Sequence, residues 1–506
     1  MTTARKVRGK AATIEMAGAA GRIGVVDIGS NTVRLVVYEV PARLPFPLFN
    51  EKAQCELGRG LGDSGRLNPE GVEAAFRALG RFVPLAHVMG VDRLELVATA
   101  AVREASDGAA FAAEIERRFG HRVDVIDGAK EAQLTALGVL SGVPDADGIL
   151  GDLGGGSLDL VALDGGSFGH TATLPLGHLR LARAPGGRGK TVDLVEAHLA
   201  TAPWLTDGRG RDLYAGGGAW RSIAKVFLHQ LDWPLRVIDN FAVDGAEAGR
   251  LLDVLARLGP SSIRRMPFVS RRRLEALPLA ALVLEKLIAV VRPARLVFSG
   301  FGMREGRMLE CLPEDMRLQD PLIAGCLGHA ERNGRFSAHG EEILAWMAPL
   351  FDDDPPVHAR LRLAACLVSD IAWSVHPDYR PENAFHRVLR LPFAGLTHRD
   401  RAWLALAIYS RYGGDVGDSL AAPVLPLVDE AARASAVKTG LALLLAHTLS
   451  GGAPGLLGAT SLRRTPDDLV LDLPKDDAIF QSEAVERRLA QLAKTAGLKA
   501  RVMTGK

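Results

Sequence analysis

The sequence predicts an α/β protein of two related domains sharing an interdomain cleft, followed by a mainly α-helical region. Three observations predict it. A Gly-rich motif occurs twice, strand-like and helix-like segments alternate as far as residue 320, and beyond that point strands become scarce. The chain has 506 residues, which at roughly 150 per domain suits three or four domains. The boundaries read as a loose basic tail over 1–21, α/β domains over 22–147 and 148–315, and a helical region over 316–506.

The first domain opens on GVVDIGSNTVRLVVYEV (24–40) and the second on ILGDLGGGSLDLVALDG (149–165). Both read Asp-x-Gly-x-x-Ser/Thr-x-x-Leu, pairing Asp27 with Asp152, Gly29 with Gly154, Thr32 with Ser157 and Leu35 with Leu160 at a spacing of 125 residues. A β-prone run stands on each side of each tip, so each motif predicts a β-hairpin with a Gly-rich turn. Between them the periodicity predicts a helix over 71–90, a strand over 94–98, a helix over 110–119 capped by Asp107, a strand over 123–126 and a helix over 130–140. Helices over 193–200, 220–231 and 279–291 and a strand over 295–298 follow the second motif. The last region predicts helices over 341–348, 358–375, 384–391, 399–412, 431–448 and 484–496, with two β-prone pieces, 469–473 and 500–503, as a small terminal sheet.

Composition narrows the function classes. Apolar residues are 48% of the chain, and Lys+Arg 61 against Asp+Glu 59 leaves a net charge of +2. That balance argues against a dedicated nucleic-acid-binding protein but permits a local basic patch. Arg outnumbers Lys 49 to 12, so a single Arg is weak reason to assign an anion ligand. The densest basic cluster, Arg264, Arg265 and Arg271–Arg273, reads either as a solvated face or as a polyanion track. Four Cys without C-x-x-C spacing make a disulfide framework or thiolate zinc site a poor fit, and the expected compartment is a reducing cytoplasm. The uncharged stretch 439–462 is broken by Gly451-Gly452 and Pro454-Gly455, so no membrane span is expected.

The repeated loops suit phosphate. Glycine lets several backbone N–H groups converge on one anion without obstructing side chains, and the Ser30, Thr32 and Ser157 hydroxyls add donors. An Asp at the strand end repels phosphate, so its expected role is to hold Mg²⁺ that bridges phosphate oxygens.

These segments resemble the exopolyphosphatase / guanosine pentaphosphate phosphohydrolase family, which belongs to the actin–hexokinase–heat-shock ATPase superfamily. DIGSNTVRL (27–35) and GDLGGGSLDL (151–160) resemble its two phosphate loops. ATAAVREA (98–105), DGAKEAQLTALGV (127–139), AGGGAWRSIAKV (215–226) and SGFGMREG (299–306) resemble further motifs in order and spacing. The resemblance covers roughly 22–310 and implies two actin-like (ribonuclease H-like) domains. It implies Glu131 as the catalytic Glu and Arg103 as an Arg near the scissile phosphate. Ser30, Asn31 and Thr32 match the first phosphate loop, and Gly154, Gly155, Gly156 and Ser157 the second. Asp152, then Asp27, match the acidic groups associated with the metal, Mg²⁺ or alternatively Mn²⁺. Asp159 stands where the family often has Glu, and Leu158 replaces a common Thr.

The implied activity is removal of terminal phosphate from inorganic polyphosphate. Guanosine pentaphosphate is the nearest alternative substrate. A kinase acting between polyphosphate or a nucleotide and an acceptor, and a non-catalytic polyphosphate sensor, are the rivals from other classes. The helical region resembles the HD-type domain of long family members, which implies a homodimer. The adjacent His-Asp pair of a working HD metal site reads Ser369-Asp370 here, although His339, His376, His386 and His398 stand nearby in sequence.

Overall fold

The computed structural model describes residues 21–40, 43, 47–183, 187–259, 262, 274, 276–352, 354–355, 357–475, 478–480 and 482–504. The basic tail over 1–20 and the cluster Arg264, Arg265 and Arg271–Arg273 lie outside the described residues.

Both Gly-rich motifs are β-hairpins at the centre of a sheet. In the first unit β1 (Gly21–Ile28), β2 (Thr32–Val40) and β3 (Pro47–Gln54) form an antiparallel meander. Then β4 (Arg93–Ala98) and β5 (Val123–Val125) add in parallel on the other side of β1, giving the order β3-β2-β1-β4-β5. The second unit repeats this plan with β6 (Gly148–Leu153), β7 (Leu158–Asp164), β8 (Ser167–Leu174), β9 (Asp212–Gly216) and β11 (Arg295–Phe298). An antiparallel strand, β10 (Phe241–Asp244), extends its edge, so the order is β10-β11-β9-β6-β7-β8. Apolar faces drive this pairing: Val26, Ile28, Val33 and Leu35 in the first sheet and Leu158, Leu160 and Leu213 in the second are fully buried.

Two helices cross between the units. Gly128–Gly142 precedes the second hairpin, yet its Ala132, Ala136 and Val139 pack with Leu150, Val161 and Leu163 of the second sheet. Met303–Glu310 follows the second sheet, yet its Met308 and Leu309 pack with Ile23, Val25 and Val36 of the first. The two helices approach at glycines. A Cβ on Gly138 would stand 2.0 Å from the Gly302 carbonyl oxygen, and one on Gly306 would stand 1.8 Å from that of Leu134.

Several expectations need correction. The first long helix spans Pro69–Val88, with Pro84 inside it. Asp107 precedes the helix Gly108–Phe119 but does not cap it; its carboxylate accepts the Leu67 N–H at 3.0 Å instead. The helix expected over 358–375 ends at Leu367, where the Ser369 hydroxyl bonds back to the Cys366 carbonyl and the chain turns. Pro349 ends the preceding α-helix, Gly340–Met347, in a 3₁₀ turn. The terminal sheet has three strands: β12 (Ser461–Arg464), β13 (Asp468–Leu473) and β14 (Lys499–Thr504). Among the described residues no helix is long and apolar enough to cross a membrane.

Candidate active site

The two hairpin turns are built alike. The Gly29 N–H donates to the Thr32 carbonyl at 3.0 Å and the Gly154 N–H to that of Ser157 at 2.9 Å. The tips meet across the interdomain cleft. A Cβ on Gly155 would lie 3.3 Å from Ser30 Cβ, and one on Gly156 would lie 3.4 Å from Ser30 Oγ. A methyl at either position would crowd the Ser30 side chain, so glycine lets the two tips approach closely. His178 Nδ1 lies 2.8 Å from the Gly154 carbonyl and braces the second loop.

Strand register sets the acidic residues. Asp27 sits opposite Arg34 on β2, and Asp152 sits opposite Asp159 on β7. Burial raises the pKa of both Asp27 and Asp152. The cations Arg304 and Arg34 oppose this at Asp27, Arg304 at 3.7 Å, and Arg221 opposes it at Asp152. Asp159 accepts hydrogen bonds from Thr173 Oγ1 at 2.7 Å and Ser157 Oγ at 3.3 Å, and burial pushes its carboxyl upward. Glu131 lies in the first turn of the helix Gly128–Gly142, which starts behind the Asp127 cap. Burial, then the neighbouring Asp159 charge, drives the Glu131 carboxyl well above the ordinary carboxylate range. Arg103 opposes that shift, donating from Nη1 to Glu131 Oε2 at 3.0 Å and to the Ile126 carbonyl at 3.0 Å.

Of the residues expected to act in catalysis, phosphate binding or metal binding, all but Arg103 line one cavity of about 230 Å³. Arg103 reaches the cavity only through Glu131, so in this structure it is a partner of that carboxylate, not a wall of the cleft. Asp159 has both oxygens engaged by hydroxyls, which leaves it less suited to ligate metal than Asp27 and Asp152. Arg304, Arg221 and Lys52 also line the cavity and were not singled out. Arg304 stands inside SGFGMREG and was visible there, but in an Arg-rich chain one more Arg carries little signal. Burial and the neighbouring Arg304 and Arg221 pull the Arg34 guanidinium down to about 10, which marks a positive potential on that wall.

Asp27 and Asp152 are oxygen donors whose charge burial opposes, so a divalent cation would compensate them. Among the described residues no three His, Cys, Asp or Glu side chains stand close enough for a protein-only metal cage. Mg²⁺ keeps several waters and takes one or two carboxylates plus phosphate oxygens, so the donor set fits it, and Mn²⁺ on the same grounds. The helical region differs. Asp370 there is paired with Arg335 at 2.6 Å and Arg411 at 3.4 Å, and His447 Nε2 lies 2.9 Å from Ser369 Oγ.

Comparison with known proteins gives the family and the fold. The sequence profile of the Ppx/GppA phosphatase family matches residues 36–315, and that of the exopolyphosphatase C-terminal region matches 333–503. Retrograde regulation protein 2 of Saccharomyces cerevisiae is 25% identical over 444 residues, 78% of this chain and 73% of that protein. Exopolyphosphatase 1 of Mycobacterium leprae is 27% identical over 309 residues, 58% of this chain and 90% of that protein. The crystal structure of an exopolyphosphatase from Cytophaga hutchinsonii shares the fold with a TM-score of 0.52 at 22% identity, covering 57% of this chain and 96% of that one. With both halves of the cleft inside the first profile or directly preceding it, the chain belongs to the Ppx/GppA phosphatase family.

Proposed function

We infer that this protein is an exopolyphosphatase that hydrolyses the terminal phosphoanhydride bond of inorganic polyphosphate and releases orthophosphate. One observation carries the choice of substrate. Beyond the carboxylates the cleft continues into a cavity of about 410 Å³ lined by Arg34, Lys52, Arg221 and Lys225 together with Asn50 and Ile238. Among the described residues four cations and no carboxylate line it, and Arg34, Lys52 and Arg221 belong to both cavities. A linear polyanion fits such a corridor over its whole length, whereas a nucleotide would place an uncharged sugar and base there.

In this reading the loop N–H groups and hydroxyls of Ser30, Thr32 and Ser157 hold the last phosphates. Asp27 and Asp152 would hold Mg²⁺, which supplies positive charge to phosphate oxygens when bound. Glu131 orients a water in line with the terminal phosphorus and accepts its proton. Oε2 is engaged by Arg103, so Oε1 takes that proton. The water oxygen bonds to phosphorus as the bridging P–O bond breaks, and the shortened chain carries away the negative charge. Arg103 opposes the upward shift of Glu131 and so favours the ionised form that accepts the proton.

A second reading, hydrolysis of guanosine pentaphosphate, draws on the apolar strip of Ala219, Ala276 and Leu277 on the same cleft wall. Phosphate release from long-chain polyphosphate and from guanosine pentaphosphate, measured side by side with Mg²⁺, tests the choice. A higher kcat/KM on polyphosphate supports the corridor; the reverse assigns the nucleotide. Phosphate appearing on ADP instead of free would make the protein a kinase, and tight binding of polyphosphate without turnover would make it a sensor.

A further inference from the structure

A second cavity, of about 280 Å³, lies on the other side of the two phosphate loops. It shares Ser30, Ala100, Gly155 and Gly156 with the catalytic cleft, so the wall between the two spaces is one residue thick and half of it is glycine. Its far side carries Arg180 and Arg183 of the second unit and Asp63 and Glu104 of the first. Arg180 bridges the units. Its Nε donates to the Gly156 carbonyl at 3.3 Å and its Nη2 to Glu104 at 2.5 Å, beside Arg103. Arg183 pairs with Asp63 at 3.3 Å, and Asp63 is 85% exposed, so this pair is weakly held. Gly60, at φ +80°, gives Arg183 its room, because a Cβ there would stand 3.3 Å from Nη1.

We propose that this rear cavity receives the cleaved orthophosphate, with Arg183 and Arg180 as its anion-binding groups. The inference rests on the exopolyphosphatase reading. A polyphosphate chain that stays in the corridor after cleavage blocks the front of the cleft, while the released phosphate sits against Ser30, Gly155 and Gly156. The space behind those residues is the one that the chain does not fill. Arg183 can exchange an exposed carboxylate for a dianion at little cost, since the pair it gives up is solvated and the new one is charge-assisted. The contacts of Arg180 with Gly156 and Glu104 tie the dividing wall to the helix Ala100–Glu104, which carries Arg103.

Two substitutions of opposite sign test it, read by calorimetric titration of the full chain with inorganic phosphate and by the pattern of phosphate inhibition. Arg183→Glu should weaken phosphate binding about 10-fold or more. Asp63→Asn, which frees Arg183 without removing it, should tighten binding. Inhibition of the wild type by phosphate should be noncompetitive with polyphosphate, because product and chain occupy different spaces. Superimposable titrations of the three proteins, or purely competitive inhibition, overturn the proposal. A wild type that releases no phosphate from polyphosphate refutes the exopolyphosphatase reading instead. The titrations then still decide whether the rear cavity binds phosphate.

Discussion

At the residue scale the site turns on one carboxylate and one guanidinium. Glu131 is buried beside Asp159, and Arg103 is the cation that offsets this. The folded chain therefore keeps a proton on Glu131 at pH values where the unfolded chain has lost it. Stability contributed by that difference is complete below the ordinary carboxylate range and is lost as pH rises through the raised value. Without metal, Glu131→Gln should melt above wild type at mildly alkaline pH, and the gap should close toward about pH 4, where both side chains are neutral. Thermal scans across pH check this. Arg103→Gln removes the charge that favours ionised Glu131. The acid limb of its pH–activity profile should move to higher pH and its kcat should fall, with Arg103→Lys restoring part of both. A profile that keeps its acid limb would mean that Arg103 acts on substrate and not on Glu131.

At the element scale the crossing helices hold the geometry. Gly138 and Gly306 lie where each helix meets the other's backbone. Gly138→Ala should cost roughly 1–3 kcal/mol despite alanine's better helix propensity, because backbone must move to admit the methyl. Gly80 is the control. It lies in the helix Pro69–Val88 with open space around it, and Gly80→Ala should stabilise by about 0.5–1 kcal/mol. Chemical denaturation of both variants measures the contrast. Elements with a strong local signal were legible in the sequence. Both hairpins, the Glu131 helix and the strand at 295–298 stand where periodicity and Gly punctuation put them. The edge strands β3 and β8 escaped the reading because they are largely solvent-facing, with no apolar run to betray them. Apolar spacing carries the expected helix past its end at Leu367, because Val368, Ile371 and Ala372 are buried in the following turns without being helical.

At the scale of the whole molecule, charge is arranged where the net +2 hides it. Arg34 comes from β2, Lys52 from β3, and Arg221 and Lys225 from the helix Trp220–Gln230. Three separate stretches form one corridor, so no window of sequence shows it. The double variant Lys52→Glu/Lys225→Glu should raise KM for long-chain polyphosphate about 10-fold at low salt. The effect should shrink as salt screens it and be smaller on tripolyphosphate, which offers the corridor fewer phosphates. The helical region reaches the same wall through hydrogen bonds. Trp233 Nε1 donates to His398 Nδ1 at 2.7 Å, and His398 Nε2 donates to the Asp239 carbonyl at 3.3 Å. Asp239 Oδ1 accepts the Gly300 N–H at 2.9 Å, and the Gly300 carbonyl accepts Arg221 Nη1 at 2.9 Å. Burial raises Asp239 to about 6. The links were not legible in advance, because each joins residues far apart in sequence, and motif membership of Arg221 and Gly300 does not show that they touch.

The account rests on Glu131 as the group that activates water for attack on the end of a polyphosphate chain. The direct measurement is orthophosphate release from long-chain polyphosphate with Mg²⁺ by wild type and Glu131→Gln, alongside polyphosphate binding by both. Release should fall by about 10²–10⁴-fold in the variant while binding and the melting transition persist. Release within a few-fold of wild type would contradict the account.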